Sequence, residues 1–292
     1  MNNKVITSYK AFDKNMQCRG FQYEVGKEYE MDGEIKCCNR GFHACKSPLE
    51  VWNYYDILNS RYAEVEQSGK IDAEENTTKV CSSRIKIKAE LKLADIINIG
   101  VEWLKDITSP SKVKADCALN DNGDRKKQIG SSGYYAKIGS SGDSAKIGSS
   151  GDYAQIGSSG YYAQIGSSGD YAKIGSSGDY AKIGSSGYYA QIGSSGDSAK
   201  IGSSGDYAKI GSSGDSAQID STGEDSVVMC AGNKSRAKAK VGSWITLAEW
   251  EWNDEKNRYV PVCVKTEYVD GDRIKADTWY QLKDGEFIEV ND

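Results

Sequence analysis

The residues best suited to chemistry are a group of thiols around the only histidine of the chain. Cys18, Cys37, Cys38 and Cys45 lie near His43 in the sequence. Thiolates and imidazole are ligands that zinc prefers, so Cys37, Cys38, His43 and Cys45 are candidate metal ligands. However, the spacing C-x18-C-C-x4-H-x-C matches no common zinc motif, and adjacent Cys37 and Cys38 would point to opposite sides of a strand. Buried structural cysteines are therefore the preferred interpretation, and no metal or other cofactor is predicted.

A second set of residues suggests an enzyme. The stretch GFHACKSPLEVWNYY, followed by YAEVE, slightly resembles ADP-ribosyltransferase folds, which place His, Tyr and Glu around a nicotinamide. That resemblance implies a ribose-binding His43, a nicotinamide-stacking Tyr54 or Tyr55, and a catalytic Glu64 or Glu66. Against it, alternating glutamates are typical of a solvated strand face, and a lone histidine is common in packed cores. The preferred prediction is a protein without catalytic residues, with an NAD-dependent transferase as the alternative.

Composition and charge exclude several other classes. The chain has 37 basic and 42 acidic residues and a net charge of −5, which argues against nucleic-acid binding. No run of 18 apolar residues is present, so no membrane span is predicted. The amino terminus does not resemble a signal peptide, and the eight cysteines are expected to be reduced thiols. A cytoplasmic location is expected.

The largest feature of the chain is a repeat of nine residues, I-G-S-S-G-x-x-A-x. Isoleucine recurs every nine residues from Ile129 to Ile219, and Val228 continues the series. The pattern A-x-I places Ala and Ile on one face of a strand, with Lys or Gln on the other. One such unit can bury almost nothing alone, so the units are predicted to stack as a β-solenoid, with G-S-S-G as the bend. The match to the calcium-binding β-roll repeat is poor, and calcium is not expected.

The number of units per coil is left open between three and two. Tyr-Tyr pairs at 134–135, 161–162 and 188–189 are spaced 27 residues apart. A triangular coil of 27 residues would stack these pairs on one side, and it is the favoured arrangement. Duplication of a 27-residue gene segment would leave the same trace, so a two-sided coil of 18 residues is the alternative.

Outward residues of the repeat are the candidate binding surface. Aspartates and lysines nearly balance there, so the repeat resembles neither a DNA mimic nor a DNA-binding surface. Tyrosine is enriched at protein interfaces, although a ladder of tyrosines can also simply stiffen a sheet. The predicted partner-binding residues are Tyr134, Tyr135, Tyr161, Tyr162, Tyr188, Tyr189, Asp152, Asp179 and Asp206.

The overall prediction is a mainly β protein with a central β-solenoid and two flanking regions. Residues 1–108 are predicted as an α+β domain, with a capped helix from Ser47 and a second helix over residues 94–107. Residues 109–128 are a linker or an irregular first coil, and residues 129–240 are the solenoid. Residues 241–292 are expected to form a β cap, with turns at Asp270-Gly271 and Asp284-Gly285.

The two ends of the chain resemble a family of uncharacterised bacteriophage and prophage proteins. The segments CRGFQYEVGKEYE, GFHACKSPLEVWNYY and WITLAEWEW…DTWYQLKDGEFIEV carry the resemblance. Members of that family carry a glycine-rich nonapeptide array in the middle, often written with A-T-G where this chain has I-G-S-S-G. The resemblance implies a phage-encoded protein inside the bacterial cell and assigns no activity.

These observations favour a non-enzymatic interaction protein whose solenoid binds a protein of the bacterial host, such as a defence factor. The alternatives are a virion rod or self-assembling scaffold, which includes a homo-oligomer, and the transferase-like enzyme in the amino-terminal domain.

Overall fold

The computed structural model describes residues 5–73, 77–107 and 128–291. The chain divides into two compact units, Met1–Trp103 and Leu104–Asp292. Apart from Gln128, the predicted linker lies outside the described residues. The fold is mainly β, as predicted.

The first unit is a small antiparallel sheet that closes on itself. Its described strands are β1 Ile6–Phe12, β2 Gln17–Cys18, β3 Phe21–Gln22, β4 Glu28–Glu30, β5 Phe42–Cys45, β6 Arg61–Ala73 and β7 Lys79–Leu91. Strand β6 pairs with β1 and β7, while β5 bridges β7 and β1, so four strands form a closed circuit with β4 at the side of β7. Phe12, Val65, Ile85 and Ile87 fill its interior.

The two predicted helices have different outcomes. The second is confirmed as α1, Leu93–Ile107, which buries Ile97 and brings Gly100 close against Leu49. The first is only a 3-10 helix, Pro48–Asn53, and the Ser47 side chain makes no capping hydrogen bond. The predicted cap would have paired Ser47 with Glu50. It does not form, because the Glu50 carboxylate is buried and accepts the backbone N–H and the hydroxyl of Thr78 instead.

The second unit is a two-sided solenoid with 18 residues per coil. Each strand pairs in parallel with the strand two units later, so that Ile147 lies beside Ile165 and Ile156 beside Ile174. Successive units therefore alternate between two sheets. The favoured 27-residue coil is wrong and the 18-residue alternative is correct, because backbone pairing joins residues 18 apart. The Tyr-Tyr pairs recur every three units whereas a coil contains two, so successive pairs do not lie above one another.

One sheet, named here the even sheet, contains β8 Gln128–Ser131, β10 Lys146–Ser149, β12 Gln164–Ser167, β14 Lys182–Ser185, β16 Lys200–Ser203, β18 Gln218–Ser221 and β20 Arg236–Ala239. The facing sheet, named the odd sheet, contains β9 Lys137–Ser140, β11 Gln155–Ser158, β13 Lys173–Ser176, β15 Gln191–Ser194, β17 Lys209–Ser212, β19 Val227–Cys230 and β21 Trp244–Asn253. From Ile138 onward, isoleucine and the first serine of each unit point inward, and alanine is buried at the corner. As predicted, isoleucine and alanine face the interior.

The bend does not lie where the sequence placed it. Each corner is a turn over G-x-x-A: the Ala145 N–H bonds the Gly142 carbonyl, and the second corner residue, Ser144, has a φ of 58°. Positive φ at the third of four turn residues is typical of a type II turn. Glycine is needed for another reason: a Cβ on Gly160 would lie 2.0 Å from the Gly142 carbonyl oxygen of the preceding coil.

The predicted cap continues both sheets of the solenoid. Trp244–Leu247 pairs in parallel with β19, after which β21 turns back antiparallel with β22, Arg258–Tyr268. Strand β23, Tyr280–Lys283, joins β20 and forms a hairpin with β24, Glu286–Glu289. Asp284-Gly285 is the predicted two-residue turn, with both φ angles positive. Asp270-Gly271 instead lies in the longer loop between β22 and β23, where Asp270 accepts three backbone N–H groups.

Candidate functional site

The corners of the solenoid form two edges of different composition. The tyrosine edge consists of the corners that follow even-sheet strands, and the mixed edge of those that follow odd-sheet strands. Across five consecutive coils, the second corner residue of the tyrosine edge is always tyrosine: Tyr135, Tyr153, Tyr171, Tyr189 and Tyr207. At the mixed edge the same position holds Ser144, Tyr162, Tyr180, Ser198 and Ser216.

The rings of the tyrosine edge form a continuous stack. Ring centroids of Tyr153 and Tyr171 lie 4.9 Å apart, those of Tyr171 and Tyr189 5.0 Å, and those of Tyr189 and Tyr207 4.8 Å, with interplanar angles of 4°, 5° and 10°. This spacing is that of the parallel strands beneath. Tyr171, Tyr189 and Tyr207 nevertheless stay 42%, 43% and 42% exposed. The stack therefore leaves a stripe of aromatic surface in contact with solvent.

The corner backbone does not require tyrosine. Tyr171 has a φ of 56°, and Ser198 at the mixed edge has the same φ. A left-handed backbone is unfavourable for a bulky side chain, with a cost on the order of 1 kcal/mol. Five tyrosines thus occupy positions where serine is compatible with the same turn.

The first corner residue has a structural role when it is aspartate. Asp197 Oδ1 accepts the backbone N–H of Asp215, in the next coil, at 2.8 Å, and Asp170 Oδ1 does the same for Tyr188 at 2.8 Å. Such bonds satisfy amides that the strand ladders do not reach. Asp152, Asp179 and Asp206, predicted as partner contacts, each accept such a bond as well.

The structure separates the residues predicted as one surface. Tyr134, Tyr135, Tyr188, Tyr189, Asp152 and Asp206 lie on the tyrosine edge, whereas Tyr161, Tyr162 and Asp179 lie on the mixed edge. The Asp179 carboxylate bonds the Tyr161 side chain and raises its pKa. Tyr153, Tyr171 and Tyr207 were missed. Comparison of second corner residues 18 apart, rather than of Tyr-Tyr pairs, would have found them.

The thiol and imidazole groups come together only in part. The side chains of Cys37, His43 and Cys81 form a cluster whose possible ligand atoms lie within 4.8 Å of one another. Cys81 was not predicted, and the predicted Cys38 and Cys45 are not in this cluster. His43 Nε2 already accepts the Cys38 N–H at 3.0 Å. Burial is the main cause that raises the pKa of Cys81, to about 12. The other two groups also make hydrogen bonds, since Cys37 Sγ donates to the Asp72 carbonyl at 3.6 Å and the protonated Cys81 thiol donates to the Arg40 carbonyl at 3.1 Å. None of the seven described cysteines forms a disulfide.

The residues of the transferase interpretation are not brought to one place. His43, Tyr54 and Tyr55 line a cavity of the first unit, but neither Glu64 nor Glu66 does. The Glu66 carboxylate instead accepts the Lys88 ammonium at 2.8 Å. The cavity also contains Lys10 and Arg19, which sequence reasoning missed. A signal for Lys10 exists in the sequence, because on strand β1 it is the charged residue between Ser8 and Phe12, on the side of the strand that these two residues bury.

Comparison with known proteins assigns no activity. The family model described as a domain of unknown function (DUF7666) matches residues 6–99, which lie in the first unit. No curated protein and no solved structure matches the chain. Among the described residues, no helix has the length and apolar character needed to cross a membrane.

Proposed function

We propose that the protein is a non-enzymatic interaction protein whose solenoid binds a protein partner through the tyrosine edge. The observation that carries this proposal is the row of tyrosine rings along five successive coils, of which the last four are stacked and three of those are exposed. Tyrosine offers a large contact area with a polar tip, and only two side-chain torsions have to be ordered on binding.

Two further observations support a role beyond stiffening. First, the corner turn accepts serine at Ser144, Ser198 and Ser216, so folding does not account for a tyrosine in every coil. Second, the long stack runs along one edge, whereas a stiffening device would serve equally on both. Among the described residues, the mixed edge has one closely stacked pair, Tyr162 and Tyr180, with centroids 5.1 Å apart.

The resemblance to the phage family suggests that the partner is a protein of the bacterial host. The most specific hypothesis is that this protein is a defence factor. The tyrosine edge suits an extended protein surface because its rings repeat at about the 4.8 Å spacing of parallel strands. A partner groove rich in apolar and arginine side chains would cover the rings and face the neighbouring corner carboxylates.

The test compares two variants that change only corner tyrosines to the serine found at equivalent corners. The tyrosine-edge variant carries Tyr171→Ser, Tyr189→Ser and Tyr207→Ser. The matched control carries Tyr162→Ser and Tyr180→Ser on the mixed edge. Full-length proteins are used as bait in bacterial lysate, captured proteins are identified by mass spectrometry, and their affinity is then measured with purified components.

The expected result is a host protein that the intact chain and the mixed-edge control bind equally, and that the tyrosine-edge variant binds at least about tenfold more weakly. Equal binding by the folded tyrosine-edge variant would remove this edge from the proposal. Light scattering of the intact chain tests self-association. A homo-oligomer that the tyrosine-edge substitutions dissociate would instead favour the scaffold alternative.

A further inference from the structure

The first unit contains a cavity that the solenoid hypothesis does not use. It has a volume of about 730 Å³, which is within the usual range for small-molecule sites. Residues from several separate segments surround it, among them β1, β5 and the stretch after the 3-10 helix. Its aromatic lining includes Phe21, Tyr23, Tyr29, Phe42, Tyr54 and Tyr55.

Four of these rings, those of Phe21, Tyr23, Tyr29 and Phe42, form a wall whose members meet edge to face. Phe21 has its ring centroid 4.8 Å from that of Tyr23 and 5.3 Å from that of Tyr29. Phe21 is 46% exposed and Tyr54 46% exposed, so part of this apolar surface remains open to an incoming molecule. Ring faces and edges arranged in this way favour a flat aromatic ligand.

A buried cation lies beside this wall. Lys10 is only 5% exposed, and its Nζ donates to the His43 carbonyl at 3.0 Å and to Cys18 Sγ at 3.4 Å. The same Nζ lies 5.5 Å from the centre of the Tyr23 ring. In the part of the chain that the structure describes, no carboxylate lies within ion-pair distance of it. A buried ammonium without an anion is costly, and an anionic ligand would lower that cost.

A second cation stands near the first. Arg19 also lines the cavity. Burial is the main cause that lowers the pKa of Lys10 and of His43, and the positive charge of Arg19 lowers both further. Among the described residues Arg19 has no ion pair either. The lining has two acidic residues, Glu28 and Glu30, of which Glu30 pairs with Arg84 at 2.7 Å. Four basic residues line the cavity, namely Lys10, Arg19, Arg40 and Lys79, so the net charge of the lining is positive.

We propose that this cavity binds a small molecule with a flat aromatic ring and an anionic group. The ring packs against Phe21, Tyr23 and Tyr54, and the anion is held by Lys10 and Arg19. Nucleotides and aromatic carboxylates share this chemistry. The inference is independent of the tyrosine edge, because it rests on the first unit alone.

The test is isothermal titration calorimetry of the full-length protein with two pairs of probes. One pair is adenosine 5′-monophosphate and adenosine, and the other is 2-naphthoate and 2-naphthamide. 2-Naphthamide replaces the carboxylate by a neutral group of similar size, whereas adenosine lacks the phosphate altogether. The anionic member of at least one pair is expected to bind about tenfold more tightly than its neutral partner. The pair that shows this preference identifies the source as nucleotide or aromatic acid.

Variants locate the binding site. Arg19→Gln removes an exposed charge without touching the core, and Lys10→Met removes the buried ammonium while keeping the length of the side chain. Each is expected to weaken the anionic probe about tenfold and to leave the neutral probe unchanged. Arg61→Gln is the matched control, because Arg61 pairs with Glu90 and does not line the cavity.

Three outcomes overturn the proposal. They are no binding of any of the four probes, equal affinity of charged and neutral members in both pairs, and an equal loss of affinity in the Arg61→Gln control. If circular dichroism shows that Lys10→Met is unfolded, the result for Arg19→Gln decides alone.

Discussion

The two edges of the solenoid share one backbone and carry different side chains. At both, the corner is the same turn, with a second residue of positive φ and a glycine pressed against the coil before it. At the tyrosine edge that second residue is tyrosine through five coils, while at the mixed edge serine occupies three of the five corners. The comparison separates the residues that the fold requires from those that it merely accepts. Stability experiments can test that separation directly.

The largest expected effect is one that both edges share. Gly187 at the tyrosine edge and Gly196 at the mixed edge would each place a Cβ 2.0 or 2.2 Å from a carbonyl oxygen of the preceding coil. We expect Gly187→Ala and Gly196→Ala each to lower the free energy of unfolding by about 3 kcal/mol or more, because backbone cannot yield as a flexible side chain can. Urea-induced unfolding followed by circular dichroism measures the loss.

Gly193→Ala is the matched control for this pair. A Cβ on Gly193 meets nothing within 4 Å, and the residue lies between the two corners. The free energy of unfolding of the Gly193→Ala variant should be unchanged or slightly increased, since alanine restricts the conformations of the unfolded chain. A large difference between Gly187→Ala and Gly196→Ala would show that the two edges do not have equivalent backbones.

An intermediate effect is expected for the aspartates. Asp197→Ala removes the acceptor for the Asp215 N–H at the mixed edge, and Asp170→Ala removes the acceptor for the Tyr188 N–H at the tyrosine edge. We expect each to cost about 1.5 kcal/mol, since hydrogen bonds to a charged group contribute more than neutral ones. The same unfolding experiment measures both, and a loss below about 0.5 kcal/mol would mean that water replaces the carboxylate.

The smallest effect, and the one that separates the edges, is expected for the rings. Tyr171 has stacked neighbours on both sides, Tyr153 and Tyr189, whereas Tyr180 has one, Tyr162. At about 0.5 kcal/mol for each stacked pair, Tyr171→Ser should lose about 1 kcal/mol and Tyr180→Ser about half as much. Equal losses in thermal unfolding would indicate that stacking along the tyrosine edge does not stabilise the rod.

Much of this fold could be predicted because its determinants are local and repeated. The period of nine in isoleucine and alanine predicts short strands that must stack, and the structure confirms the solenoid. Helix α1 and the Asp284-Gly285 turn were also predicted from local signals of apolar spacing and turn chemistry. The helix at Ser47 was mispredicted because Glu50, which should have completed its cap, bonds Thr78, 28 residues away.

The candidate sites were less accessible to prediction. The composition of each edge depends on which corners lie above one another. The tyrosine stack can therefore be recognised only once the number of residues per coil is known. The cavity of the first unit collects Lys10, Arg19, His43 and Tyr54 from separate segments. The transferase resemblance placed His43 and Tyr54 together, but no spacing in the sequence connects them to Lys10 or Arg19.

The sequence by itself determined that the repeat forms strands with isoleucine and alanine inside, because alternation along a strand depends only on neighbouring residues. It also determined that glycine recurs at every corner of the repeat and that aspartate follows it at seven of the ten corners between residues 133 and 217. Only the tertiary structure decided that a coil contains two units rather than three, since each unit has nearly the same local preferences in either arrangement. The choice depends on backbone pairing between residues 18 apart, and with it came the tyrosine edge, the mixed edge and the separation of the predicted binding residues between them.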